Sequence, residues 1–480
     1  MSRRIFRVAA HVALGSLAIV LAFSSALSAR PAVAWRALEE ATPPHSTFLP
    51  IISQFSRPNF VIIISDDQRY DTLDYMPLTQ AQLFDRGITF ARAYVTTPVC
   101  CPSRSSILTG MYAHNHFAYD NYSPLDKPTL VRYLHAAGYY TGMVGKYLNS
   151  WDGSARPEFD EWVVFAGHGS AQRYFDPLLN VNGEWVQHYG YFTHLLRDYA
   201  LDFLNRAKRR EAPYLLIFAP NAPHEPATPA PGDEDLYPDL PLYRPPHFME
   251  EDLADKPIYL QNRPPANPDH IDWLRRRQVQ ALRSLDGAVN ALLDQIGEDD
   301  NTVVIYLSDN GVYWGEHRLD GKLYPYAEAS HIPFAIRYRR LISQPRVESR
   351  LVANIDIAPT IYELAGLPIP VYVDGRSLAP LLTGQEVQWR DAVVIEGWGY
   401  YAYMALQTER YLYVETEGDI GELYDSWSDP YQLQNEFFNP AYASVVAELH
   451  STLLGYRSGI QRTPGWRILP FIMGALGLDD

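Results

Sequence analysis

The chain has 480 residues, of which 47% are hydrophobic and 20% charged, and its formal net charge is −16. That composition excludes a disordered or membrane-embedded chain and leaves room for two or three domains with a large core. The acidic balance excludes a general nucleic-acid binder, which needs a basic face. The two cysteines, Cys100 and Cys101, are neighbours, so no disulfide framework can be built, and the sequence has no Cys-His zinc spacing.

The chain begins with a targeting pattern. Arg3, Arg4 and Arg7 precede an apolar run from Val8 to Ala29, and Ala32-Val33-Ala34 offers a cleavage site. Residues 1–34 are therefore predicted to be a signal peptide, and Ser2-Arg3-Arg4-Ile5-Phe6 resembles a bacterial twin-arginine signal. Export to the periplasm, cell surface or medium is expected, with no membrane contact beyond the leader. No later stretch reaches the ~18 apolar residues of a membrane helix. Residues 35–56 read as a linker.

The first strand is predicted at Asn59-Phe60-Val61-Ile62-Ile63-Ile64, an apolar, β-branched run suited to a parallel sheet covered on both faces. Similar runs recur at 214–218 and 302–307, with helical patterns between them at 191–207 and 268–297. Alternation of strand and helix argues an α/β fold with a large, mostly parallel sheet flanked by helices. In such sheets chemistry gathers beyond the carboxyl ends of the strands. There the sequence places Ser65-Asp66-Asp67, Asn221-Ala222-Pro223-His224 and Ser308-Asp309-Asn310-Gly311. Residues 226–266, rich in Pro and Asp, read as a long surface loop beside the substrate mouth. From 386 the pattern changes to short strands at 392–396, 403–407 and 411–415 and a helix near 440–455. The expected organisation is a catalytic domain over 57–385 and a smaller α+β unit with an antiparallel sheet over 386–480.

Asp66-Asp67 at one strand end and Asp309-Asn310 at another form an oxygen-only donor set suited to a hard divalent cation, calcium or magnesium rather than zinc. The most specific segment is Cys100-Cys101-Pro102-Ser103-Arg104-Ser105-Ser106-Ile107-Leu108-Thr109-Gly110. It resembles the signature of the formylglycine-dependent sulfatases at all seven specified positions, and its Cys-Cys-Pro-Ser-Arg version is most similar to the N-acetylglucosamine-6-sulfatase-like branch. The resemblance runs from about 57 to 436 through segments such as Gly145-Lys146-Tyr147, Gly315-Glu316-His317, Gly321-Lys322 and Asp374-Gly375-Arg376.

The resemblance implies an alkaline-phosphatase-like sulfatase fold and a sulfuric ester hydrolase acting on a sulfated carbohydrate. It also implies that Cys100 is oxidised to Cα-formylglycine (3-oxoalanine) by a formylglycine-generating enzyme acting on the unfolded chain. Such a nucleophile suits the substrate. A sulfate ester resists attack because its oxygens are negative; a hydrated aldehyde offers one hydroxyl to attack sulfur and a second to expel sulfate. By the same resemblance Asp66, Asp67, Asp309, Asn310 and the modified Cys100 hold calcium, with magnesium the alternative. Arg104 supports the hydrate, Lys146 and Lys322 clamp sulfate oxygens, and His224 serves the leaving-group side. One position departs from many sulfatases: Leu148 stands where a histidine is common, so the base for sulfate release is open, although the branch shares Gly-Lys-Tyr-Leu-Asn. His317 is a candidate for an auxiliary role. Two rival readings stay on the page: a phosphate or phosphonate ester hydrolase built on the same logic, and an inactive carbohydrate-binding relative.

Overall fold

The computed structural model describes residues 56–167, 173–399 and 401–458. The leader expected at 1–34, all of the 35–56 linker but its last residue, and the tail from 459 lie outside the described residues.

The architecture centres on a ten-stranded sheet: β1 (Asn59–Ser65), β2 (Ile88–Phe90), β3 (Tyr140–Gly145), β4 (Glu161–Val164), β5 (Leu178–Val181), β6 (Glu184–Gln187), β7 (Tyr214–Ala219), β8 (Thr302–Ser308), β9 (Phe334–Arg337) and β10 (Arg346–Glu348). Its order is β10-β2-β9-β8-β1-β7-β3-β4-β5-β6. The five central strands, β8-β1-β7-β3-β4, run parallel. On both flanks antiparallel neighbours appear, β9 on β8 and β5 on β4, so the sheet as a whole is mixed.

The pleat explains why β1 is apolar throughout. Phe60, Ile62 and Ile64 point into one core with Leu215, Ile217, Val303 and Ile305, while Val61 and Ile63 point into the other with Leu216, Phe218 and Val304. Among the helices that cover these faces are α1 (Cys100–Thr109), α2 (Phe192–Ala207) and α3 (Pro268–Ile296). Ile107 and Leu108 of α1 join the first core, and the apolar stripes of α2 and α3 close the second. The start of α3 follows from Asn267, whose side chain accepts from the amides of Asp269 and His270, with Pro268 in the first turn.

A four-stranded antiparallel sheet follows: β11 (Ala392–Gly397), β12 (Tyr403–Thr408), β13 (Tyr411–Thr416) and β14 (Glu422–Asp425). Its alternation serves two layers. Val393, Ile395, Tyr403, Ala405 and Val414 pack with Tyr313, Tyr324 and Tyr326, whereas Val394, Met404, Leu406 and Tyr413 pack against Val446, Leu449 and Leu453 of α4 (Ala443–Ser458).

The 226–266 segment is more than a surface loop. It carries the short helix Ile258–Gln261, and Ala227, Ala230, His247, Glu250, Lys256, Tyr259 and Leu260 are buried. Charged and aromatic anchors, rather than periodic apolar residues, tie it down, which is why its sequence shows no period. No helix among the described residues is long and apolar enough to cross a membrane.

Candidate active site

Sheet register assembles the site. Ser65 of β1 pairs with Ser308 of β8, so Asp66-Asp67 and Asp309-Asn310 leave adjacent strands at the same level. Gly145 of β3 pairs with Ala219 of β7, which brings Lys146 and the Asn221–His224 turn to the same edge. Backbone bonds tie these exits together: the amide of Asp66 to Ala222 O, that of Lys146 to Ala219 O, and that of Asp309 to Ser65 O. The Cys100 side chain, at the start of α1, is 1% exposed in their midst. Its sulfur lies 3.7 Å from Asp66 Oδ1, 3.9 Å from Asp67 Oδ1 and 2.7 Å from Lys322 Nζ.

Around that sulfur the charges interlock. Lys146 Nζ donates to both oxygens of Asp66, at 2.8 and 2.7 Å, and Lys322 Nζ donates to Asp67 Oδ1. Arg104 Nε donates to Asp309 Oδ2 at 2.7 Å, and its Nη1 donates to the Lys146 carbonyl at 2.8 Å. Burial pushes Asp66 up, but Lys146, His224 and Arg104 outweigh it and hold the carboxylate below its usual range. Asp67 follows the same balance, with Lys322 and His224 outweighing burial. Burial pushes the unmodified Cys100 thiol up to about 12 despite both lysines, so an unmodified residue is protonated and weakly nucleophilic at neutral pH.

The donors fit a hard cation. Asn310 Nδ2 donates to Asp67 Oδ1 at 2.7 Å, while its buried Oδ1 has no hydrogen-bond partner among the described residues. A lone amide oxygen beside two ionised carboxylates is what an oxygen-seeking ion uses. Asp66, Asp67, Cys100 and His224 bring one ligand atom each within 4.8 Å of one another. Asp309 is not in that set; its oxygens accept from Arg104 Nε and from the Asp67 amide at 3.1 Å.

His224 Nε2 lies 3.6 Å from Asp67 Oδ2. Its Nδ1 is 2.7 Å from Glu225 O; a carbonyl only accepts, so Nδ1 carries a proton and Nε2 faces the site. Tyr174 Oη donates to the His224 carbonyl at 2.6 Å and fixes this turn. Sequence reasoning missed Tyr174, which no motif marks. Leu148 is buried in the first core beside Tyr147 and Trp162, so its position supplies packing and no base. His317 is fully buried and bonded through Nδ1 to Glu250 at 2.6 Å, and its ring packs against His247 and Tyr326, outside the cluster around Cys100.

Comparison with known proteins bears on the family. The family model described as Sulfatase matches residues 58–367, more than half of the chain, and the model for the C-terminal region of N-sulphoglucosamine sulphohydrolase matches residues 315–459. The extracellular sulfatase SULF-1 homolog of Drosophila melanogaster is 35% identical over 372 residues, covering 72% of this chain and 33% of that protein. Human N-acetylglucosamine-6-sulfatase is 31% identical over 378 residues, covering 71% of this chain and 67% of that protein. The chain therefore spans between a third and two thirds of the length of these curated relatives. A solved structure of a protein in complex with its substrate D-glucosamine-2-N,6-O-disulfate shares the fold, with a TM-score of 0.75 and 24% identity over 84% of this chain and 98% of that one. With strand-end acids, paired lysines and the Cys100 helix start in one cluster, and with the family model spanning those strands, the chain belongs to the sulfatase family.

Proposed function

We propose that the protein hydrolyses sulfate esters of a sulfated carbohydrate, with Cys100 converted to Cα-formylglycine and calcium held by Asp66, Asp67, Asp309, Asn310 and the modified residue. The observation that carries this reading is the meeting of four strand exits and two lysines on one buried side chain at position 100. When present, the aldehyde hydrate supplies a geminal pair of hydroxyls, one to attack sulfur and one to release sulfate. The cation, when bound, neutralises sulfate charge and favours ionisation of a neighbouring hydroxyl.

The protein's own groups do the rest. Lys146 and Lys322 present fixed positive charge where the sulfate oxygens gain negative charge, a preorganised arrangement that favours the transition state over the ground state. Arg104 keeps Asp309 oriented and, through the Lys146 carbonyl, fixes the backbone that delivers Lys146. His224 holds or moves a proton at Nε2 on the side open to a leaving alcohol, with its ring locked by the Nδ1 bond to Glu225 O. With leucine at position 148, His224 is the histidine that reaches the cluster among the described residues. The resemblance to the N-acetylglucosamine-6-sulfatase branch favours a 6-O-sulfated hexosamine. The N-terminal pattern supports export, and maturation calls for a formylglycine-generating enzyme.

Mass spectrometry of the peptide spanning residues 93–104 tests the nucleophile: an aldehyde is expected at Cys100, and turnover of N-acetylglucosamine 6-sulfate should vanish in Cys100→Ala. A fully active protein with an intact thiol at that position excludes the mechanism. A strong preference for aryl phosphate over aryl sulfate would instead assign the site to phosphoester hydrolysis.

A further inference from the structure

Lys322 is delivered by an arm with an unusual backbone. Tyr313–Trp314 pairs with Asp320–Gly321 as a short antiparallel ribbon, and Lys322 leaves its end. The next residue, Leu323, has φ +112°, a value that lies beyond even the left-handed helical region and that a residue with a side chain rarely adopts. Its side chain is 52% exposed, so side-chain packing does not impose that value.

Buried hydroxyls hold the carbonyls on this bend. Tyr403 Oη donates to Leu323 O at 2.8 Å, and Tyr313 Oη donates to Tyr324 O at 2.9 Å. The Tyr324 ring is stacked on Tyr259 with centroids 4.8 Å apart. Tyr403 is the first residue of β12, in the small C-terminal sheet, and is 3% exposed. Burial keeps its phenol protonated, hence a donor, well above the ordinary range. Gly397, its partner in β11, makes room for the ring: a Cβ there would stand 2.0 Å from Tyr403 Cε1. Backbone strain persists only where surroundings over-determine it. Here it falls one residue from an ammonium that contacts Cys100 and Asp67.

We propose that Tyr403 is a positioning residue for Lys322: its hydroxyl holds the strained Leu323 backbone, and that bend aims the ammonium at the side chain of residue 100 and at Asp67. The inference rests on the sulfatase reading in taking Lys322 to act on the sulfate group.

Tyr403→Phe removes the hydroxyl and keeps the ring. The expected result is a fall of about ten-fold in kcat on N-acetylglucosamine 6-sulfate, equal to about 1.4 kcal/mol, with KM changed less than about two-fold. Glycine takes positive φ freely, so Leu323→Gly removes the strain. In that background, with nothing to spring back, Tyr403→Phe should cost less than about three-fold; the double-mutant cycle reads the coupling. Equal losses in the two backgrounds would make Tyr403 a packing residue and overturn the proposal, as would an unimpaired Tyr403→Phe enzyme. Crystal structures of the wild type and Tyr403→Phe provide a readout independent of turnover. Residue 323 should relax to negative φ and Lys322 Nζ should leave Asp67. Unchanged backbone and contact overturn the proposal even for a preparation that hydrolyses no sulfate ester.

Discussion

Three carboxylates, Asp66, Asp67 and Asp309, face three cations, Arg104, Lys146 and Lys322, around Cys100, and all six are buried or nearly so. Removing one partner of such a set exposes the other to the full cost of an uncompensated buried charge, whereas a partly hydrated pair is more forgiving. The two lysines should therefore separate. Lys146→Met leaves Asp66 with Arg104 Nη2 at 3.9 Å as its remaining ion pair among the described residues, so it should lose activity and, measured in the metal-free protein, about 3–5 kcal/mol of stability. The Lys322 side chain is 13% exposed and its partner Asp67 keeps Asn310, so Lys322→Met should lower kcat about 100- to 1,000-fold with a much smaller change in Tm. Paired assays of kcat and thermal unfolding check both. At this scale the site was legible, because strand-end acids and a seven-position signature announce themselves in one dimension. Tyr174 and Tyr403 were not: each acts by one hydroxyl on a distant carbonyl, which leaves no pattern in sequence.

At the scale of elements, β1, β7 and β8 could be read from their apolar runs, and α2 and α3 from their helical period. Strand β3, Tyr-Thr-Gly-Met-Val-Gly, could not, although it lies at the heart of the sheet. The reason is packing. A Cβ on Gly142 would meet Phe203 Cε2 of α2 at 2.4 Å, so a neighbour's ring fills the place where the strand's own apolar side chain would be expected. The edge strands are only three or four residues long, too short for a period to show. Gly145, with φ +118° and a would-be Cβ 2.1 Å from Ala219 O, lets β3 meet β7 just before Lys146. Gly145→Ala should destabilise by about 3 kcal/mol or more, through strain and a backbone clash together. Gly287 is an exposed position inside α3 with no atom within 4 Å of an added Cβ, so Gly287→Ala should stabilise by about 0.5–1 kcal/mol. Calorimetric Tm values for the two variants should move in opposite directions.

For the whole molecule, the small sheet shares its core with the arm that carries Lys322, and a buried acid sits at that junction. Glu422 Oε2 accepts from Tyr326 and Tyr424 at 2.6 and 2.7 Å, yet burial dominates and pushes the carboxyl up to about 7. A carboxyl raised from 4.5 in the unfolded chain binds its proton more tightly when folded. Its contribution is thus fully present below pH 4.5 and is lost as pH rises through about 7, a swing on the order of 3 kcal/mol. Glu422→Gln, which mimics the protonated form, should gain Tm relative to the wild type between about pH 5 and pH 7 in thermal scans and level off above that. The burial of residue 100 reaches further still. A side chain with 1% of its surface open, at the first turn of a helix buried along its whole length, is closed to any modifying enzyme once the chain has folded. If Cys100 is converted as proposed, the conversion must therefore come before folding and cannot be repaired afterwards. Under that proposal a purified batch would be a frozen record of how often the cell reached that cysteine in time, and its specific activity would be set before the first substrate arrives.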